Sequence, residues 1–103
     1  MTTVSINQSV KAAENRIREH VRRTPFERSS MMSELTGADV WLKMENQQYT
    51  GSFKFRGAIN KMLTLSEGER NCGIYAASTG NHGAAGAYAC QKLDVPCIIY
   101  VPE

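Results

Sequence analysis

The chain has 103 residues, 42% of them hydrophobic and 21% charged, a balance that argues against disorder and allows at most one small domain. Its formal net charge is only +2, and Glu14, Glu19 and Glu27 interleave with the six basic residues of the first 28 positions, so no cationic stripe of the kind that holds nucleic acid forms. The longest apolar run, residues 97–101, is too short for a membrane span or a signal core.

Cys72, Cys90 and Cys97 form no C-x-x-C pair and leave an odd thiol, which fits buried, inert cysteines in a reducing, cytoplasmic compartment better than a disulfide framework. The two histidines, His20 and His82, do not stand at metal spacing, so no metal site is expected.

In chain order, Val10, Ala13, Ile17 and Val21 recur at helical spacing from Ser9 onward, with charges between them, until Thr24-Pro25 closes the pattern. This predicts an amphipathic helix whose apolar stripe packs. Ser29, Ser30, Met31, Met32 and Leu35 predict a short helical turn ended by Gly37. Val40-Trp41-Leu42-Lys43-Met44 reads as a strand. It delivers the chain to a polar turn. The next helix carries Phe55, Ile59, Met62 and Leu63 as its buried stripe, with Gly57-Ala58 allowing another backbone to come close, and Ser66-Glu67-Gly68-Glu69 ends it. Ile74-Tyr75-Ala76-Ala77 reads as a strand buried on both faces. Ser78-Thr79-Gly80-Asn81-His82-Gly83 then opens into a small-residue helix, and residues 96–101 supply a third strand. Strand, helix, strand, helix, strand predicts an α/β fold with a parallel sheet and flanking helices, without internal repeat or flexible linker.

Two loops carry candidate chemistry. Thr50-Gly51-Ser52 runs straight into helix, so Lys54 falls in the first helical turn, where the helix dipole and flanking Phe53 and Phe55 favour a neutral, nucleophilic amine. On local context alone, a merely solvated lysine is the commoner outcome. The loop from Ser78 presents backbone N–H groups at a helix N-terminus, a natural seat for a carboxylate or phosphate, and a plain helix cap is the competing reading. Glycines 80, 83 and 86 lack the G-x-G of a dinucleotide fingerprint.

Taken whole, Glu45, four intervening residues and then Thr50-Gly51-Ser52-Phe53-Lys54-Phe55-Arg56-Gly57-Ala58 closely resemble the lysine motif of the pyridoxal-phosphate-dependent threonine/serine dehydratases, a family that includes serine racemases. Ser78-Thr79-Gly80-Asn81-His82 is similar to that family's substrate loop, Ser-Ser-Gly-Asn-His, and the two motifs stand in family order. The resemblance implies part of a fold type II (tryptophan synthase β-like) domain with pyridoxal 5'-phosphate as cofactor. It makes Lys54 the Schiff-base lysine and the base for the substrate α-proton. Phe53 would line the cofactor ring, and Asn81 would hydrogen-bond its 3-hydroxyl. Ser78, Thr79, Gly80 and His82 would hold the substrate carboxylate, while Arg56 would be structural.

The implied reaction is α,β-elimination from a β-hydroxy amino acid such as L-threonine or L-serine, giving a 2-keto acid and ammonia. Thr79 stands where the racemases have a serine that serves as base on the opposite face, and its methyl group tilts the expectation toward elimination. Serine racemisation is one alternative. A non-catalytic remnant that binds a small acid or a sister subunit through the Asn81 loop is another. The resemblance covers nearly the whole chain but only the opening part of the family's length, and no Gly-Gly-Gly run for the cofactor phosphate occurs. Residues 1–103 are therefore expected to be a single, incomplete N-terminal portion of a homo-oligomeric enzyme, inactive alone.

Overall fold

The computed structural model describes residues 5–103. Helix α1 (Ile6–Ile17) starts and stops earlier than the apolar spacing predicts. It ends in a tightened turn, the His20 N–H donating to the Ile17 carbonyl at 2.8 Å, and cannot resume at Arg22, whose N–H donates to Gln48 Oε1 at 3.0 Å and whose carbonyl accepts from Gln48 Nε2 at 2.9 Å. Of the expected stripe, Ile17 is buried and Val21 packs against the core, whereas Val10 is exposed.

Strand β1 (Phe26–Arg28), which the sequence pattern did not reveal, pairs antiparallel with β2 (Trp41–Lys43), Phe26 opposite Lys43 and Arg28 opposite Trp41. The strand expected at Val40 thus belongs to this ribbon and not to the parallel sheet. Helix α2 (Ser30–Thr36) connects the two strands as predicted, capped by the Ser29 hydroxyl, which accepts from the Met32 N–H, and closed by Gly37 at φ 68°. Two short 3-10 turns, Glu45–Gln47 and Tyr49–Gly51, lead into α3 (Lys54–Thr64). Ser66 to Glu69 does not simply end that helix. It forms a reciprocal capping box that starts α4 (Glu67–Asn71).

Strands β3 (Ile74–Ala77) and β4 (Cys97–Tyr100) are parallel, in register from Ile74–Cys97 to Ala77–Tyr100, and α5 (Asn81–Lys92) is their crossover. The α/β class with a parallel sheet therefore holds. β3 is not buried on both faces, however: Ile74 and Ala76 turn inward, while Tyr75 and Ala77, with Ile98 and Tyr100 of β4, face outward and are exposed. Helix α5 packs on both strands, and no second layer covers them among the described residues.

The core lies where α3 crosses α5. Phe55, Ile59 and Met62 of α3 are buried together with Ala85, Ala89 and Cys90 of α5 and Ile17 of α1. Small residues on α5 let the large α3 side chains approach, and deleting a ring such as Phe55 to Ala costs about 3–5 kcal/mol in such packing. Tyr49, Phe55 and Tyr88 form an aromatic cluster with ring centroids 5.3–5.5 Å apart. The close backbone approach expected at Gly57 occurs at Gly83 instead, where a Cβ would lie 3.1 Å from the Ser78 carbonyl and 3.2 Å from Ile99 Cγ2; nothing lies within 4 Å of a Cβ at Gly57. Burial pushes the Cys90 thiol up to about 12, helped by a hydrogen bond with Cys97, which keeps it protonated and inert. Cys72 departs from the expectation of buried thiols, being exposed. Among the described residues no helix is long and apolar enough to cross a membrane.

A polar frame ties these parts together. Arg56 grips Glu45 with two bonds, Nη2 to Oε1 at 2.8 Å and Nε to Oε2 at 3.0 Å. The buried Thr24 hydroxyl donates to the same Oε1 at 2.7 Å, and Lys43 Nζ donates to the Thr24 carbonyl at 2.7 Å. The Arg56 hydrogen bonds, with smaller help from Thr24, hold the Glu45 carboxyl below its ordinary value against the opposing effect of burial. A carboxylate so depressed contributes stability that is fully present above its unfolded value of about 4.3 and is lost as pH falls through its lower folded value. Glu45→Gln should therefore destabilise the fold by about 1–3 kcal/mol at neutral pH, read by urea denaturation. The gap from the parent chain should shrink below about pH 4; a gap unchanged to about pH 3 would show that the frame does not depend on this charge.

Candidate active site

Lys54 is set in place by the turn before it. Thr50 (φ 61°, ψ 12°) and Gly51 (φ 71°) are consecutive left-handed residues that reverse the chain, and the Ser52 hydroxyl accepts from the Lys54 N–H at 3.4 Å. Holding a β-branched threonine in that region costs of order 1–3 kcal/mol. Its Oγ1 is also buried without a partner among the described residues. The frame at Glu45 and Gln48, immediately upstream, is what keeps this turn in shape.

The lysine itself is exposed, and its Nζ sits 4.9 Å from the Phe53 ring centroid. Phe55 points the other way, into the core, so the two flanking rings do not enclose the amine as the sequence suggested. Lys54 instead stands at one end of a groove of about 510 Å³ that runs between α3 and the edge of β3. Phe53 and His82 share that end, while Met62, Leu65 and Ile74 line the other. Gly57, Ala58, Ala76 and Gly86 keep the walls low, so Gly57 serves the groove and not a helix contact. Lys61, two turns along α3 from Lys54, lines the same groove with Tyr75. Its position on the Lys54 face was legible from helical spacing, but no motif singled it out.

At the N-terminus of α5, the Ser78 hydroxyl accepts from the N–H groups of Gly80 at 3.3 Å and Gly83 at 3.0 Å. It therefore shapes the loop from within, as the cap reading has it. The N–H groups of Asn81 and His82 have no acceptor among the described residues. They point out of the first turn of α5, where the helix dipole favours an anion. Thr79, Gly80 and Asn81 are exposed in this turn and, with Ser78, lie outside the groove lining; His82 joins turn to groove.

The arrangement thus puts a primary amine, an aromatic face and His82, a residue of the open first turn of α5, on one cavity sized for a small molecule. That donor set fits a planar aldehyde, which the amine would bond, together with an amino acid whose carboxylate would sit at the α5 terminus.

The chain is similar to several known proteins. An L-threonine ammonia-lyase of Thermotoga maritima is 47% identical over 96 residues, covering 93% of this chain and 24% of its own length. The serine racemase of Dictyostelium discoideum is 42% identical over 103 residues, covering 100% of this chain and 32% of its own length. Its crystal structure superposes with a TM-score of 0.89 over 93% of this chain. The crystal structure of a T.th. threonine deaminase, 40% identical, gives 0.83 over 96% of this chain and 31% of that one. The chain therefore spans a quarter to a third of the length of these relatives. A sequence model of the pyridoxal-phosphate dependent enzymes matches residues 17–103, which takes in β1, the Lys54 turn and the α5 terminus, and the chain belongs to that family.

Proposed function

We propose that this chain supplies the lysine and the carboxylate seat for α,β-elimination from a β-hydroxy amino acid, L-threonine or L-serine being the class. The observation that carries the reading is the one groove lined by both Lys54 and His82, the latter in the open first turn of α5. Names among the relatives support it, since threonine ammonia-lyase, threonine dehydratase and L-threo-3-hydroxyaspartate ammonia-lyase all describe loss of ammonia from hydroxylated amino acids.

In this reading Lys54 Nζ would hold the cofactor and, once the substrate amino group had displaced it from the aldehyde carbon, would be the free amine that takes the α-proton. Phe53 bears on the cofactor ring, and the Asn81 amide meets its 3-hydroxyl. The Asn81 and His82 N–H groups, with Thr79 and Gly80, receive the substrate carboxylate, while Ser78 holds their turn in shape. When bound, pyridoxal phosphate supplies an electron sink for the pair left on the α-carbon. The β-hydroxyl leaves as water, and the released enamine hydrolyses to a 2-keto acid and ammonia. Racemisation is the second reading, favoured by the match of the whole chain to a serine racemase. It needs an acid or base on the far face, and the exposed Thr79 is the hydroxyl available in the loop. Accumulation of D-serine instead of pyruvate decides between the two.

We further propose that residues 1–103 act as one portion of a longer, cytoplasmic, homo-oligomeric enzyme. The short span relative to the relatives and three unpaired cysteines support this.

Borohydride reduction of the full-length protein with pyridoxal phosphate, followed by peptide mapping, should place the label on Lys54. Lys61 is the real competitor because it lines the same groove; label there, or on Lys11, Lys43 or Lys92, would sink the assignment. Asn81→Ala should lower the rate by about 10²–10³-fold with little loss of stability, since Asn81 is exposed and touches no core. An unchanged rate would remove it from the site. The chain as it stands should show little turnover of L-threonine with added cofactor, measured as 2-oxobutanoate. A rate of about 1 s⁻¹ or more would show that nothing further is needed.

A further inference from the structure

A second cleft, of about 540 Å³, lies between α1 and the polar frame and shares no lining residue with the Lys54 groove. Arg18, Arg22, Arg23, Lys43 and Arg56 line it against a single carboxylate, Glu14, with Ile17 and Val21 as an apolar wall. Glu45, beside the cleft, neutralises Arg56, and Glu14 pairs with Arg18. Arg22 and Arg23 are left without an anionic partner in this concavity, and Lys43 shares Glu45 with Arg56. Lining one concavity, these cations repel one another.

Their remaining donors define what relieves it. Lys43 Nζ spends one of its three hydrogens on the Thr24 carbonyl. Arg22 gives Nη1 to the Gln47 carbonyl and lies 4.5 Å over the Tyr49 ring, which fixes its plane and leaves its other donors open. Arg23 is exposed and has no hydrogen-bond or ion-pair partner among the described residues. Two guanidinium forks and an ammonium lining one space match tetrahedral oxyanions, which take bidentate bonds on several faces, better than a single planar carboxylate.

We propose that this cleft binds a small phosphate-bearing molecule with two or more negative charges, its phosphates against Arg22, Arg23 and Lys43 and its carbon body against Ile17 and Val21. The site is separate from the Lys54 groove and does not depend on the reaction assigned there.

Calorimetric titration of the full chain with inorganic tripolyphosphate at physiological ionic strength tests it, with citrate as a tricarboxylate control. One site is expected, weakened about tenfold by Arg23→Gln and largely restored by Arg23→Lys. Glu14→Gln should tighten it, because the change removes the cleft's own carboxylate and frees Arg18. Lys54→Ala should leave it unchanged. Arg23 is exposed and Glu14→Gln removes no cation, so circular dichroism should show every variant folded like the parent. Absence of binding, equal affinity in Arg23→Gln, weaker binding in Glu14→Gln, or loss of binding in Lys54→Ala would each overturn the proposal. Citrate binding as tight as tripolyphosphate would overturn the phosphate class.

Discussion

The Glu45–Arg56 pair is the joint on which the described structure turns. Arg56 belongs to the first turn of α3, and Glu45 lies immediately after β2, so their two-bond grip fixes where the lysine helix begins relative to the ribbon. Thr24 and Gln48, both buried, extend the joint to the segment after α1. Neither charge is deeply buried, so the pair avoids most of the desolvation penalty that makes interior ion pairs weak sources of stability. Its larger effect is geometric. The left-handed Thr50-Gly51 turn is strained on its own, and with both of its ends anchored by the frame and by α3, the strain has no route to relax.

That anchoring divides labour between two faces of α3. Phe55, Ile59 and Met62 form the inner face and meet a stripe of small residues on α5, including Ala85 and Ala89. Because α3 stands on α5 and not on the sheet, a gap remains between its outer face and β3, and that gap is the groove. Lys54, Gly57, Ala58 and Lys61 fall on the outer face by helical spacing alone. The same helical period that buries the core therefore aims the lysine.

Much of this was legible in the sequence, and the failures have physical causes. The start of α3 was readable because turn residues at Thr50-Gly51 abut a clean apolar period at Phe55, Ile59 and Met62. α5 was readable because the polar glycine-bearing loop before it follows a strand. β1 was not readable: Phe26-Glu27-Arg28 is three residues long, too short to show alternation, and only its partner β2 makes it a strand. The end of α1 was misjudged because the apolar spacing runs on to Val21, although the backbone at Arg22 is held by the distant Gln48 side chain, which no local pattern contains. Ser66 and Glu69 did carry a signature, a capping box, and it marked a beginning where an end was expected. At the site, motif matching picked out two loops from which Lys54 and His82 line one groove, but could not foresee that Ser78 turns its oxygen inward to its own loop, or that Phe55 leaves Lys54 uncovered.

The outward face of the β3–β4 sheet shows how composition and exposure can part company. Tyr75, Ala77, Ile98 and Tyr100 have the apolar character of a strand pair buried on both sides, as parallel sheets usually are, yet they face solvent. The amine at Lys54 is in the same position, since the chemistry proposed for it is electrostatic and gains strength only where water is kept out. Both features call for one remedy: apolar surface laid over the sheet and over the groove mouth. The chain itself spends its apolar residues on the α3–α5 crossing, where α5 packs with Ala and Gly and has no large side chains to spare. What these residues build well is position, with a lysine, a helix terminus and the frame that aligns them; what an elimination also requires is enclosure, which on this packing must come from surface other than α3 and α5.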